Sequence, residues 1–235
     1  MSDRSDPLLK ANSQTFEGYP VPMQDLRIRR VLELMGPNGS GRLLDVGCAD
    51  GQFGEYVARL GWRPFGIDIN PHNARLASQR GVVAVTANLA RSFPYMANSF
   101  DTVVTMEILE HVVDTTLFLS ECYRILRPGG HLFLSTPNLA SVGNRIRLVF
   151  GKYPGWVDYR LEDTVGHVRN YTLPILKQHL GEIGFHVEQA RGTTFLLPLV
   201  YRLRFLEPER SRLLGWIGSH WPSMSIHLIV SAVKV

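Results

Sequence analysis

The stretch "LLDVGCADGQFGEYVARLGWRPFGIDIN", Leu43 to Asn70, decides the fold. An apolar run ends in a glycine-rich turn. A helical period follows through Phe53, Tyr56, Val57 and Leu60, and Gly61 stops it. A second apolar run, "RPFGID", ends in Asp68. Strand, turn, helix and strand in this order form the unit of a parallel sheet. The turn itself is unusual for a nucleotide site, because Asp45 stands just before Gly47. A carboxylate there is a poor neighbour for a pyrophosphate.

The alternation continues in both directions. Upstream, Gln24 to Met35 places Leu26, Ile28, Val31, Leu32 and Met35 near helical spacing. Downstream, Pro71 opens a helix that runs to Gly81. "VVAVTA" and "FDTVVTM" are predicted strands. Asp114 caps a predicted helix that buries Phe118, Cys122 and Ile125, and "RPGG" stops it before the strand "HLFLSTP". A helix near Leu173–Glu182 precedes two closing strands, "FHVEQA" and "SIHLIVSAVKV". The strands are nearly continuous apolar runs, as in a sheet covered on both faces. The expected fold is α/β, Rossmann-like and doubly wound. Its seven-stranded sheet is mostly parallel, with an antiparallel last strand reached by a long connection.

The chain of 235 residues reads as one domain with a polar arm over 1–23 and insertions at 139–168 and 193–222. The start lacks the apolar segment of a signal peptide, and no apolar run is long enough to span a bilayer. Cys48 and Cys122 suggest neither a disulfide framework nor a zinc site. A cytoplasmic protein is expected, peripheral to a membrane if the apolar insertions face one. The net charge of +4 is small for a protein that tracks phosphates, so nucleic acid is not the expected partner.

Sheets of this kind bind ligands at the carboxyl ends of their strands, where the strand order reverses. The turn Gly47-Cys48-Ala49-Asp50-Gly51 is followed by Gln52 where a dinucleotide fingerprint needs glycine. No Gly-Lys-Ser/Thr follows, so it is no P-loop either. A carboxylate at this turn favours a cation, and S-adenosylmethionine carries an ammonium group and a sulfonium. Gly47 and Gly51 let the backbone come close to such a ligand. Asp68, at the end of the second strand, stands where an acid accepts from ribose hydroxyls.

"LLDVGCADGQFG", "GIDIN", "NSFDTVVTMEILEHV" and "LRPGGHLFLSTPN" together resemble the successive motifs of class I S-adenosylmethionine-dependent methyltransferases, over about Arg42 to Asn138. "TMEILEHV" and "STPN" are similar to the small-molecule branch that includes the ubiquinone-biosynthesis O-methyltransferases. The resemblance implies S-adenosylmethionine as cofactor, S-adenosylhomocysteine as product and a small-molecule acceptor. It implies that Gly47, Cys48 and Gly51 line the methionine part and that Asp45 holds its ammonium. Asp68 would hold the ribose, with Ile69 on adenine, Asn88 and Leu89 at the adenine edge and face, and Met106 near the sulfonium. Two positions depart from the pattern. Ala49 replaces a commoner glycine. Asn88 replaces an acid, although an amide oxygen still accepts.

Methyl transfer to oxygen or nitrogen needs an aligned nucleophile and a place for its proton. His111 is the candidate base, against the plainer reading that it ties down its loop. His167 and Tyr171 are candidates for acceptor contact. If the turn after the fourth strand is helical, Glu107, Glu110 and His111 share a face and form a possible divalent-metal set, an alternative that is not favoured. The residues "MEIL" lack the Asn/Asp-Pro-Pro-aromatic motif of amino-group methyltransferases. The expected acceptor is an oxygen of a hydrophobic or glycan-related natural product. The alternatives are a non-catalytic S-adenosylmethionine-binding module and, below it, an NAD oxidoreductase. The segment Phe195 to Trp216 is expected to form two short helices, broken near Glu207-Pro208, that wall an apolar acceptor pocket.

Overall fold

The computed structural model describes residues 25–157, 166–194 and 212–235. The arm over 1–23, the break near Glu207-Pro208 and the proposed pocket residues Phe195 and Leu196 lie outside the described residues.

The elements follow in the order α1 (Leu26–Met35), β1 (Arg42–Val46), α2 (Gln52–Arg59), β2 (Arg63–Asp68), α3 (Pro71–Gln79), β3 (Val83–Thr86) and β4 (Phe100–Met106). A single tight turn at Leu109–His111 precedes α4 (Thr115–Ile125), β5 (Leu126–Pro137), α5 (Val142–Val149), α6 (Leu173–Ile183) and β6 (Phe185–Gly192). The chain closes with α7 (Arg212–His220), a turn at Pro222–Met224 and β7 (His227–Lys234). Polar side chains start the helices where the sequence places them. Asp25 accepts from Arg27 N at 2.8 Å, Asn70 from His72 N at 2.9 Å ahead of Pro71, and Asp114 from Leu117 N at 2.9 Å.

Seven strands form one sheet in the order β3-β2-β1-β4-β5-β7-β6. β1 to β5 are mutually parallel, and β7 runs antiparallel between β5 and β6. The "RPGG" segment does more than stop a helix. It belongs to β5, where Leu126 pairs with Phe100 before the register shifts and His131 pairs with Thr102. Glycine and proline serve here as a bulge inside a strand.

Side chains alternate between two cores, as the pleat requires. Leu44, Val46, Val103, Leu132, Leu134 and Val230 face α4 and α6, where Phe118, Cys122, Ile125, Leu176 and Leu180 are buried. Leu43, Val104, Phe133 and Ile229 face α1 and α2, against Ile28, Val31, Phe53 and Val57. This two-sided burial explains why the strands read as unbroken apolar runs. Chain order runs outward from β1 through β2 to β3 on one side and from β4 to β5 on the other. The carboxyl ends of β1 and β4 therefore flank the crevice where such folds bind ligands. Among the described residues no helix is long and apolar enough to cross a membrane.

Candidate functional site

The turn after β1 is built on left-handed backbone. Gly47, Ala49 and Gly51 have φ of 83°, 46° and 82°. A Cβ at Gly47 would run into Ile108 Cδ1, on the loop after β4, and one at Gly51 would come within 2.6 Å of Ala77 Cα. The first glycine thus lets two ligand-facing loops meet, and the second lets α3 close on the turn. Ala49 adopts a conformation that a glycine would adopt at less cost, in keeping with its place in the motif.

Asp68 holds this turn in place. Its Oδ2 accepts from Ala49 N at 2.9 Å, and its Oδ1 from Asn70 N at 2.8 Å and Asn73 Nδ2 at 3.4 Å. Burial raises its pKa, and the Asn70, Ala49 and Asn73 hydrogen bonds oppose that rise. The carboxylate expected to meet a ribose therefore also joins the end of β2 to the turn after β1. Asp45 differs. It is buried, and among the described residues no donor reaches its carboxylate. Burial first, and then the nearby Asp68 charge, push its pKa up to about 7. An ionised acid in that position needs a cation.

The other candidates lie along the same strand ends. Cys48 offers only its backbone, since its thiol packs with Ala77 and Val82. Ile69 is half-buried beyond β2. Ala87 N donates to Asp68 O at 3.0 Å, which brings Asn88 and Leu89 beside the end of β2. Asn88 Oδ1 accepts from Ala90 N at 2.9 Å, so one of its two lone pairs is already in use. Met106 ends β4 and packs partly on the core beside α1.

The residues after β4 do not form the helical face expected for Glu107, Glu110 and His111. Glu107 has φ 56° and stands outside the single turn Leu109–His111, so its side chain goes elsewhere. It accepts from Ser135 Oγ at 2.7 Å and pairs with Arg27 at 3.2 Å and His227 at 3.6 Å. The group that does assemble is Glu110, His111 and His167, all buried, with one ligand atom from each within 4.8 Å of the others. Chain folding brings His167 there, because Val168 N and Arg169 N both donate to Glu110 O, at 2.8 and 3.1 Å. The two imidazoles lie 4.8 Å apart. His111 Nδ1 faces Gly166 O at 3.2 Å, and His167 Nδ1 faces Trp156 O at 2.8 Å. A carbonyl only accepts, so each Nδ1 carries a hydrogen. Glu110 Oε2 accepts from Thr136 Oγ1 at 3.0 Å, while Oε1 is buried with no hydrogen-bond partner among the described residues. Burial and then the Glu107 charge hold the Glu110 carboxyl well above the usual carboxylate range.

Tyr171 is not brought into this group. Its ring stacks on His179, and its hydroxyl lies 3.1 Å from His179 Nδ1 in a separate polar recess between α4 and α6. Ser135, Thr136, Arg27 and His227 were missed from sequence. Hydroxyls at two successive positions in "STP" each meet an acid after β4, and only the strand pairing Met106 with Ser135 reveals that.

Residues 23–190 match the model of a methyltransferase domain family. The chain belongs to that family. This methyltransferase is 34% identical, over 75% of its own length and 73% of the relative's, to the ubiquinone biosynthesis O-methyltransferase of Xanthomonas euvesicatoria pv. vesicatoria. It is 32% identical, over 74% of each chain, to the enzyme of the same name from Xanthomonas axonopodis pv. citri. Its fold is similar to an S-adenosylmethionine-dependent methyltransferase from Mesorhizobium loti, with a TM-score of 0.64 at 18% identity over 89% of this chain and 98% of that one. The chain is thus an S-adenosylmethionine-dependent methyltransferase of class I. The buried Asp45 carboxylate, which meets no donor among the described residues and lies beside a turn whose backbone approach depends on glycine, fits a cofactor with a positive amino-acid tail.

Proposed function

We propose that this methyltransferase acts on a hydroxyl oxygen of a hydrophobic small molecule, in the cytoplasm or at a membrane surface. The O-methyltransferase activity for which its relatives are named and the buried imidazole beside the β4 end support this reading. The observation that carries it is the place of His111, an imidazole buried just past the end of β4 and oriented by its Nδ1 contact with Gly166 O at 3.2 Å.

S-adenosylmethionine supplies a methyl carbon bonded to positive sulfur. Asp45 binds its ammonium, Asp68 its ribose hydroxyls, and Asn88 and Leu89 the adenine, with the Gly47–Gly51 backbone along the methionine part. Met106 closes the crevice near the reacting carbon and helps keep water out. The bound cofactor would supply its methyl group to the acceptor oxygen and leave as the thioether, and His111 would take the hydroxyl proton. His167 orients the acceptor. The products are a methyl ether and S-adenosylhomocysteine. His111→Ala is expected to lower kcat about 10²-fold or more, the usual scale of a lost general base, with cofactor affinity unchanged. Steady-state rates together with calorimetric titration of S-adenosylhomocysteine check this, and a variant with wild-type kcat removes the base.

A second reading rests on one observation. The unpartnered Glu110 Oε1 faces the same cluster as His111 and His167. One carboxylate and two imidazoles, each held through Nδ1, suit a divalent ion that would orient the acceptor oxygen. Loss of turnover on chelation and its return with magnesium supports this reading. Activity indifferent to chelator, in a protein that binds no metal by calorimetry, excludes it.

A further inference from the structure

Asn144 points inward from a helix that mostly faces outward. Arg145, Arg147, Leu148 and Val149 of α5 are exposed, yet Asn144 is 4% exposed. A buried amide needs partners, and this one finds them at Gly155. Its Oδ1 accepts from Gly155 N at 2.8 Å, and its Nδ2 donates to Gly155 O at 3.3 Å. The side chain thus pairs with both polar backbone atoms of Gly155, as a neighbouring strand would. Nδ2 also donates to Asn138 O at 3.5 Å, which ties the clip to the end of β5. Arg147 Nε donates to Tyr153 O at 2.7 Å and holds the same turn from the next exposed face.

The residue after the clip is strained. Trp156 has φ 63°, in the left-handed region that an aromatic residue seldom adopts. Its ring is 56% exposed, so burial of the side chain does not call for that backbone. Its carbonyl does have a use, because it accepts from His167 Nδ1 at 2.8 Å. His167 is buried, and its ring lies edge-on to His111 with centroids 4.8 Å apart. Strain of this kind persists only where the surroundings over-determine it, and it gathers at functional sites.

We propose that Asn144 is a positioning residue for methyl transfer. By fixing the peptide units on both sides of Gly155, it holds Trp156 in its left-handed conformation. The Trp156 carbonyl then keeps His167 in the tautomer with hydrogen on Nδ1 and in one orientation beside Glu110 and His111. Which ring nitrogen of a neutral imidazole carries the hydrogen is set by the partner it meets, and without one the hydrogen favours Nε2. The clip therefore selects the less common form. The inference rests on the reading above in one respect, that His167 orients the acceptor, while the hold on the ring is independent of any acceptor.

Nitrogen NMR spectra of the full chain labelled at histidine, in alkaline buffer where imidazoles are neutral, test the inference without any acceptor. The His167 signals are those that vanish in His167→Gln. In the wild type they should report hydrogen on Nδ1. Asn144→Ala should move most of the population to hydrogen on Nε2. Trp156→Pro should do the same, because proline fixes φ at about −65° and turns the carbonyl away. Trp156→Gly should keep the Nδ1 form, because glycine takes a positive φ without strain. Unchanged affinity for S-adenosylhomocysteine shows that the variants remain folded. A wild type with hydrogen on Nε2 overturns the proposal. So does an Nδ1 form that survives both Asn144→Ala and Trp156→Pro, or one that is lost in Trp156→Gly, which would assign the hold to the indole ring. If the tautomer shifts as expected but no hydrophobic hydroxyl compound is methylated, the clip stands and the acceptor reading falls.

Discussion

At the scale of single residues, Asp68 has a structural role that the sequence does not assign. It was expected to hold a ribose. The structure also has it accept from Ala49 N and Asn70 N. Asp68→Ala should therefore weaken cofactor binding about tenfold or more, beyond the loss of one charged-acceptor hydrogen bond. Asp68→Asn, which keeps one acceptor oxygen, should retain part of both functions. Calorimetry on the two folded variants separates the contributions, and equal affinity in the wild type and the Ala variant would remove Asp68 from the site. The legible residues were those whose chemistry is local. Asp45, Gly47, Gly51 and Asp68 sit on one strand–turn–helix–strand unit, where spacing alone sets their positions. His167 was legible as a residue type but not as a partner of Glu110. That contact spans a long loop and depends on backbone hydrogen bonds to Glu110 O. At Asn88 the structure adds a contact that the sequence did not show, because its amide oxygen also accepts from Ala90 N in its own turn.

Among elements, the turns after β1 and β4 behave as one unit because Gly47 and Ile108 touch where a side chain would not fit. Gly47→Ala would place a methyl group on Ile108 at a left-handed backbone position. The backbone strain alone should cost about 1–2 kcal/mol. The displaced loop should also carry His111 away from its place and lower kcat. Ile108→Ala in the same chain should restore part of that loss, so the double variant should be better than the sum of the single ones. Strict additivity in kcat and in thermal unfolding would show that the two turns are independent. Most strands and helices were readable because the periodicities differ and side-chain caps mark the starts of α1, α3, α4 and α5. The conformation after β4 was not. "MEILEH" has a helical spacing of acids and histidine, but Glu107 takes φ 56° to reach Ser135 and Arg27, and tertiary partners override the local pattern. "RPGG" was read as a stop signal because proline and glycine usually are, and strand pairing with Phe100 made it a bulge.

For the molecule as a whole, charge is distributed against its average. The chain carries a net +4, yet Asp45, Asp68, Glu107 and Glu110 gather at the carboxyl ends of β1, β2 and β4. Arg27 offsets Glu107, while Asp45 meets no donor among the described residues. A mildly basic protein thus gathers acidic side chains at the crevice where such folds bind ligands. In the absence of a ligand, the raised Asp45 pKa means that its ionisation disfavours the folded state. Stability from this group is full below its ordinary pKa of 3.8 and falls as pH rises through about 7. A bound ammonium reverses the preference, so the affinity for cofactor should rise with pH over the same window. The most direct measurement is calorimetric titration of S-adenosylhomocysteine, which keeps the ammonium group, at about one pH unit below and one above that value. Wild type should bind more tightly at the higher pH and release a proton on binding at the lower one. Asp45→Asn should bind more weakly at the higher pH and lose the proton release. Wild-type affinity that is flat across this range, or an Asp45→Asn variant that matches it, would contradict the assignment of Asp45 as the ammonium site.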